Sequence, residues 1–445
     1  MVSTDLHVWM NGEAVAVWSR TRTGGHRLTY EEAWLDSPRR RSLSLSLPIA
    51  ASREISGAAV ASFFENLLPD NDSIRRRLSA RFGTRGTEAF ELLTAIGRDC
   101  VGAVQLLPAG MVPEGFDRID AVPVGEGDVE RHLRGVVAGP MPGASEDPDA
   151  FRISIAGAQE KTALLRRRGK WFRPRGATPT THILKLPLGV VGGGLNLDMS
   201  ASVENEWLCG QILGELGFAV AQSEIAVFGA QKVLVVERFD RQWMEGRWIA
   251  RLPQEDFCQA LAVPPGRKYQ ADGGPGIHDA LRLLSGSTSP DADRERFLLT
   301  QLAFWLLAAT DGHAKNFSVF LGAGDTYRLT PLYDVLSAWP VIGRGANALS
   351  PHKARMAMGL RAGNMHYRLK EIRARHFRAL ADGSGVPTVW DSMRALIEKV
   401  PAALATVEKR LAPGFPPRLW EAIASGMRSQ VDLFKDENLR AGGAG

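Results

Sequence analysis

The sequence predicts an α+β protein of two lobes, a β-rich one followed by a helical one, behind an amino-terminal α+β module. Three observations carry this. An Asn-Gly pair between two apolar runs opens the chain, short strand-like runs cluster between residues 151 and 236, and the apolar pattern turns mainly helical from Glu255 onward. The expected boundaries are an amino-terminal module at 1–138, a linker at 139–150, a β-rich lobe at 151–254, a helical lobe at 255–440 and a frayed tail at 441–445.

Taken in order, Val8-Trp9-Met10 and Ala14–Trp18 flank Asn11-Gly12. That is the strongest short hairpin signal, because both turn residues accept positive φ. Leu43, Leu45 and Leu47 alternate with serines, the period of two of a half-buried strand. Val60, Phe63, Phe64 and Leu67 have helical spacing; Pro69 closes that helix, and Asp72 or Ser73 is placed to cap the next from Ile74. The stretch 139–149 is rich in Pro, Gly and acid and reads as a linker. Strands are expected at 151–155, 162–165, 182–186 and 233–236, with a helix at 203–216 between the last two. Later helices are expected at 297–309, 389–400 and 419–433. This two-lobed layout predicts a cleft.

Composition excludes several classes. With 44% hydrophobic and 23% charged residues the chain is ordinary for a globular protein, and a net charge of +5 makes its surface mildly basic. Cys100, Cys209 and Cys258 stand far apart with no CxxC, which argues against a disulfide framework or a zinc site and fits a reducing compartment. No secretory leader is evident, and the most apolar stretch, 297–309, is too short to span a bilayer. A cytoplasmic protein without a membrane partner is expected.

The sharpest feature is Thr310-Asp311-Gly312-His313-Ala314-Lys315-Asn316, directly after an apolar helix. Four residues separate Asp311 from Asn316, the D-x-x-x-x-N spacing of a kinase catalytic loop, in which the Asp accepts the substrate hydroxyl proton and the Asn holds Mg²⁺. Leu332-Tyr333-Asp334 brings a second carboxylate after the short strand 327–329. Upstream, Lys185 sits in an apolar strand, where burying a charge is costly without a phosphate or a carboxylate such as Glu204 or Glu206 nearby. Each feature alone has a plainer reading, as polar turn, loop acid or snorkelling lysine. Ile155–Thr162 links two strands with small residues that let backbone N–H groups approach phosphates, although a plain hairpin would look similar. Glu237, Arg238 and Phe239 end the last strand of that lobe, where a hinge would meet adenine.

Taken together, FRISIAGAQEKTALL (151–165), THILKLP (181–187), VERFDR (236–241), ATDGHAKNFSVF (309–320) and LTPLYD (329–334) resemble the HipA family. So do LSLSLP (43–48), FFENLLPD (63–70) and IGRDCVGAV (96–104) in the amino-terminal part. The resemblance implies a protein-kinase-like fold of the phosphoinositide-kinase-like branch and a non-specific serine/threonine protein kinase using ATP and Mg²⁺. It implies Asp311 as catalytic base, and Asn316 and Asp334 as Mg²⁺ ligands. Nucleotide contacts would come from Ala156, Gly157, Ala158, Gln159, Glu160, Lys161, Lys185, Glu237, Arg238, Phe239, His313, Ala314, Lys315, Asn316, Tyr333 and Asp334, and Ser154 would be the autophosphorylated serine. The implied partners are a HipB-like helix-turn-helix antitoxin, operator DNA through the toxin–antitoxin complex, and an aminoacyl-tRNA synthetase substrate, with glutamyl-tRNA synthetase the expected one. Its phosphorylation would block translation and promote growth arrest and persistence. Where the family has DNA-touching basic residues, 378–387 here reads RALADGSGVP. Two other classes stand beside this one, a small-molecule phosphotransferase and a non-catalytic corepressor. The presence of Asp311, Asn316, Asp334 and Lys185 together weighs against the second.

Overall fold

The computed structural model describes residues 5–21, 23–137, 156, 157, 159–192 and 195–442. The expected linker, the expected strand 151–155, Ser154 and Ala158 lie outside the described residues. The chain forms two compact units that interleave along the sequence. The first comprises residues 1–186, 226–267 and 318–327; the second comprises 187–225, 268–317 and 328–445. The amino-terminal module and most of the β-rich segment therefore share one unit.

In the first unit, Asp5–Met10 and Glu13–Arg20 pair antiparallel around Asn11 and Gly12, whose φ values of 46° and 86° are those the Asn-Gly pair accepts. His26–Tyr30 and Glu54–Ser56 extend the sheet on one side and Gln105–Pro108 on the other. The inward positions of this sheet, among them Leu6, Val8, Trp18 and Leu28, bury against Phe63 and Phe64 of the helix Ala58–Glu65 and Leu92, Leu93 and Ile96 of Ala89–Ile96. Trp18 stacks on Phe64 with ring centroids 3.8 Å apart.

Two expectations change here. The alternating Leu43-Leu45-Leu47 segment is not a strand but an irregular loop. Its backbone donors are satisfied by side chains instead of a ladder: Leu43 N donates to the Tyr30 hydroxyl (2.8 Å), Leu45 N to the Glu255 carboxylate (2.8 Å) and Ser46 N to Ser44 Oγ (3.1 Å). The next helix, Asp72–Phe82, is capped one residue earlier than expected, by Asn71, whose side chain accepts from Ser73 N at 2.8 Å.

A second sheet in this unit runs Gln231–Glu237, His182–Lys185, Lys161–Arg167, Lys170–Pro174 and Ala121–Val124, all antiparallel. Val129 and Leu133 of the helix Glu126–Val137 bury against Leu164, Leu184, Val233 and Val235.

The second unit is mainly helical: Ser202–Glu215, Ile277–Leu284, Pro290–Leu307, Ala374–Asp382, Val389–Glu408 and Pro417–Gly442. It also holds a hairpin, Arg355–Ala362 with Asn364–Arg368, in a region whose apolar pattern pointed to helices. The carboxyl half of Pro290–Leu307 is buried on all sides, which explains its unbroken apolar run. Trp305 packs against Phe377 and Phe434. All three cysteines are buried. Among the described residues no helix is long and apolar enough to cross a membrane.

Candidate active site

The helix Pro290–Leu307 stops at Ala308, which turns left-handed (φ 48°), and Ala309 N bonds back to Phe304 O at 2.8 Å. The chain then enters the polar loop from a rigid anchor. A Cβ on Gly312 would lie 2.4 Å from Phe304 Cδ2, so this position accepts only glycine without displacing the ring. Within the loop, Asp311 O accepts from His313 N (2.8 Å) and from Asn316 Nδ2 (2.7 Å), while Asn316 N bonds His313 O at 2.9 Å. His313, Ala314, Lys315 and Asn316 are buried, whereas the Asp311 side chain is 59% exposed. The carboxylate is thus the part of the loop that faces outward.

Asp334 is brought to the same loop by its neighbour. Tyr333 Oη donates to Lys315 O at 2.8 Å. Leu332 is held from the other side, its N bonding Ala219 O and its O accepting from Ala221 N, each at 2.8 Å. Beyond Asp334, Ser337 and Asn205 exchange two hydrogen bonds of 2.8 Å, and Ser337 Oγ donates to Leu307 O at 2.6 Å. Asp334 itself has φ 59°, a left-handed conformation that Asp tolerates and that recurs at functional positions. The second unit therefore brings together Asp311, His313, Ala314, Lys315, Asn316, Tyr333 and Asp334.

Sequence reasoning missed Tyr269. Its hydroxyl donates to Asp311 Oδ1, and its ring meets His313 edge-on with centroids 4.8 Å apart. It lies 42 positions upstream of Asp311, between Gly- and Pro-rich stretches, and no local pattern points to it.

In the first unit, Lys161 and Lys185 are directly opposed across neighbouring strands. Opposed residues on neighbouring strands share a face, so the two lysines lie on the same side of the sheet. Lys185 is buried. Gly157 has φ 110°, and a Cβ there would lie 2.4 Å from Lys161 Nζ, so the ammonium sits close over the Gly157 backbone. The loop is fixed at its sides: Asp70 N donates to Gly157 O (3.2 Å), Leu186 N to Glu160 O (3.0 Å) and Gln159 Nε2 to Leu186 O (2.6 Å), and Glu160 pairs with Arg77. The Lys161 side chain thus lies beside a backbone opened by Gly157, on the same stretch of sheet as Lys185.

At the end of Gln231–Glu237, the Arg238 side chain serves as a structural anchor. It is buried and bonds Asp240 (2.8 and 3.0 Å), Thr180 Oγ1 (2.9 Å) and Cys100 O (2.8 Å). Its N–H is also taken, by Thr181 O at 2.9 Å. Glu237 stays exposed, and Phe239 packs edge-on against Phe320. In the second unit, Arg378 is paired with Asp382 at 2.9 Å.

By the chemistry of their donor atoms, Asn316 and Asp334 suit a magnesium ion. Asn316 commits its amide N–H to Asp311 O, which leaves Oδ1 as the end suited to a hard cation, and Asp334 adds a carboxylate. Two protein oxygens completed by phosphate and water are typical of such sites.

A sequence model of the HipA-like C-terminal domain matches residues 153–407, and one of the HipA N-terminal domain matches residues 6–107. The chain is 33% identical to the Sinorhizobium fredii protein Y4mE over 414 residues, 90% of this chain and 91% of that one. It is 27% identical to the serine/threonine-protein kinase toxin HipA of Shewanella oneidensis, over 80% of this chain and 78% of the relative. Among solved structures, a chain of the Shewanella oneidensis complex of HipA, HipB and operator DNA matches with a TM-score of 0.79 at 23% identity, covering 97% of each chain. That match establishes a common α+β fold.

Proposed function

Because this chain belongs to the HipA family, we propose that it is an ATP- and Mg²⁺-dependent serine/threonine protein kinase, the toxin of a type II toxin–antitoxin pair. The observation that carries the reading is the Asp311–Asn316 loop, in which Asn316 commits its amide N–H to Asp311 O, leaving its oxygen for a cation, while the Asp311 carboxylate is exposed. Phosphoryl transfer asks little covalent chemistry of a protein and much positioning and charge neutralisation. Lys185, Lys161 and the backbone of Ala156–Lys161 bind the phosphates of ATP. Glu237 and Phe239 lie by the adenine through their main chain. Asn316 and Asp334 hold Mg²⁺, which when bound neutralises charge on the β- and γ-phosphates. Asp311 orients the acceptor hydroxyl and takes its proton as the Oγ–P bond forms and the bond to the β-phosphate oxygen breaks.

The acceptor is an aminoacyl-tRNA synthetase, with glutamyl-tRNA synthetase first in line, and the consequence is arrested translation in the cytoplasm. The regulator is a HipB-like helix-turn-helix antitoxin, and operator DNA is bound by the pair rather than by this chain alone. Ser154 is the self-inactivating site: a phosphoserine there carries roughly −1.5 to −2 charges and competes with the triphosphate for the same donors. The deciding experiment incubates the chain with γ-labelled ATP, Mg²⁺ and a panel of purified synthetases. Label should enter one synthetase and the peptide containing Ser154. Label in no protein at all would overturn the kinase reading, and a labelled synthetase with an unlabelled Ser154 peptide would overturn only the self-inactivation.

A further inference from the structure

A solvent-facing carboxylate has two free torsions, yet a catalytic base must be held in one geometry to be effective. Asp311 is 59% exposed and is nevertheless engaged at one oxygen. The Tyr269 hydroxyl donates to Oδ1, and His313 Nε2 lies 3.8 Å from the same oxygen. Tyr269 is in turn held by its ring, edge-on to the buried His313 and with Lys268 Nζ 5.6 Å from its centroid. The neighbouring main chain is tied in as well, since Ala314 N donates to Lys268 O at 3.3 Å.

We propose that Tyr269 is the positioning residue of the catalytic base: it pins Asp311 through Oδ1 and so assigns Oδ2 to the incoming acceptor hydroxyl. The inference rests on the kinase reading and adds a residue to it. Tyr269 acts by removing the rotational freedom of Asp311, so its loss should slow the chemical step without weakening nucleotide binding.

The test compares wild type, Tyr269→Phe, Tyr269→Ala, Asp311→Asn and the Tyr269→Phe/Asp311→Asn double variant, using ADP release from Mg-ATP, which reports transfer to any acceptor, water included. Tyr269→Phe keeps the ring on His313 and removes only the hydroxyl. Its kcat should fall roughly ten- to a hundred-fold with KM for ATP and melting temperature unchanged. The double variant should be no slower than Asp311→Asn alone, because both act through one group. Tyr269→Ala, which also loses the ring contact, should lower the melting temperature as well, separating packing from positioning. Wild-type kcat in Tyr269→Phe beside an inactive Asp311→Asn would overturn this inference alone, as would a loss confined to stability or KM. Full activity in Asp311→Asn would overturn the base assignment and this inference with it. No ADP release from wild type would overturn the kinase reading itself.

Discussion

Arg238, immediately after the strand Gln231–Glu237, reaches back 139 positions along the chain to Asp99, Nη1 to Oδ2 3.4 Å. The pair is the centre of a buried cluster. Asp99 Oδ1 also accepts from Arg241 (3.0 Å) and Arg251 (3.1 Å), and Oδ2 from Thr180 N and Oγ1 (3.0 and 2.7 Å). Asp240 balances the guanidinium groups from the other side and accepts from Gly102 N at 2.7 Å. Burial alone would raise the carboxyl of Asp99, but the guanidinium groups of Arg241, Arg251 and Arg238 outweigh it and hold that carboxyl well below the usual range.

Removing one partner from such a cluster strands the others. Asp99→Ala should cost about 3–5 kcal/mol, because three buried guanidinium groups lose a shared acceptor. Urea unfolding checks this, and a loss below 1 kcal/mol would show the cluster to be well hydrated. The depressed carboxyl of Asp99 favours the folded state above its unfolded pKa of about 3.9, and that contribution fades as acid protonates it.

Asp311→Asn should abolish phosphoryl transfer and leave the fold and Mg-ATP binding in place. Asn keeps the size and the main-chain bonds at Asp311 O but cannot take a proton. A thermal shift by Mg-ATP equal to wild type, with no label transferred, is the expected pair of results.

Asp334→Ala should remove most of the Mg²⁺-dependent part of the ATP thermal shift, since a ligand that binds only the native state raises its stability by mass action. Asn316→Ala should act in the same direction and also loosen the loop at Asp311 O. An unaltered shift in the Asp334 variant would place the metal on another carboxylate.

Glu255 gives a pH prediction of opposite sign to Asp99. Burial pushes its carboxyl up to about 8, although Leu45 N donates to it. Between roughly pH 4.5 and 8 the folded state therefore holds a proton that the unfolded state has released, so this group's contribution to stability falls as pH rises, by at most about 1.4 kcal/mol per pH unit. Glu255→Gln, which mimics the protonated acid, should flatten that decline. Melting temperatures of both proteins from pH 6 to 8 measure it, and parallel curves would contradict the assignment.

The sequence made legible what local pattern controls. The Asn11-Gly12 turn, the strand carrying Lys185, the buried helix before Asp311 and the Asp311–Asn316 spacing all depend on neighbours within a few positions. What stayed hidden depends on remote partners. Leu43, Leu45 and Leu47 have a strand's alternation, but Tyr30 and Glu255 take the amides that a strand would offer its neighbour. Arg238 looked like a strand-end residue because Asp99 and Cys100 are far away in sequence. Tyr269 gave no signal at all, since its importance lies in one hydroxyl meeting one carboxylate.

The ties between the amino-terminal module and the strands behind it bear on how such a chain can be rearranged. Asp70 holds Gly157, Arg77 pairs with Glu160, and Asp99 anchors Arg238, so residues before 110 scaffold the segment that carries both lysines. A recombination breakpoint or designed fusion that separated the two stretches would hand the recipient a loop without its frame and a buried arginine without its counter-charge. The two stretches are therefore expected to be inherited as one cassette, and a swap between relatives should carry the first 110 residues along with the segment that holds Lys161 and Lys185.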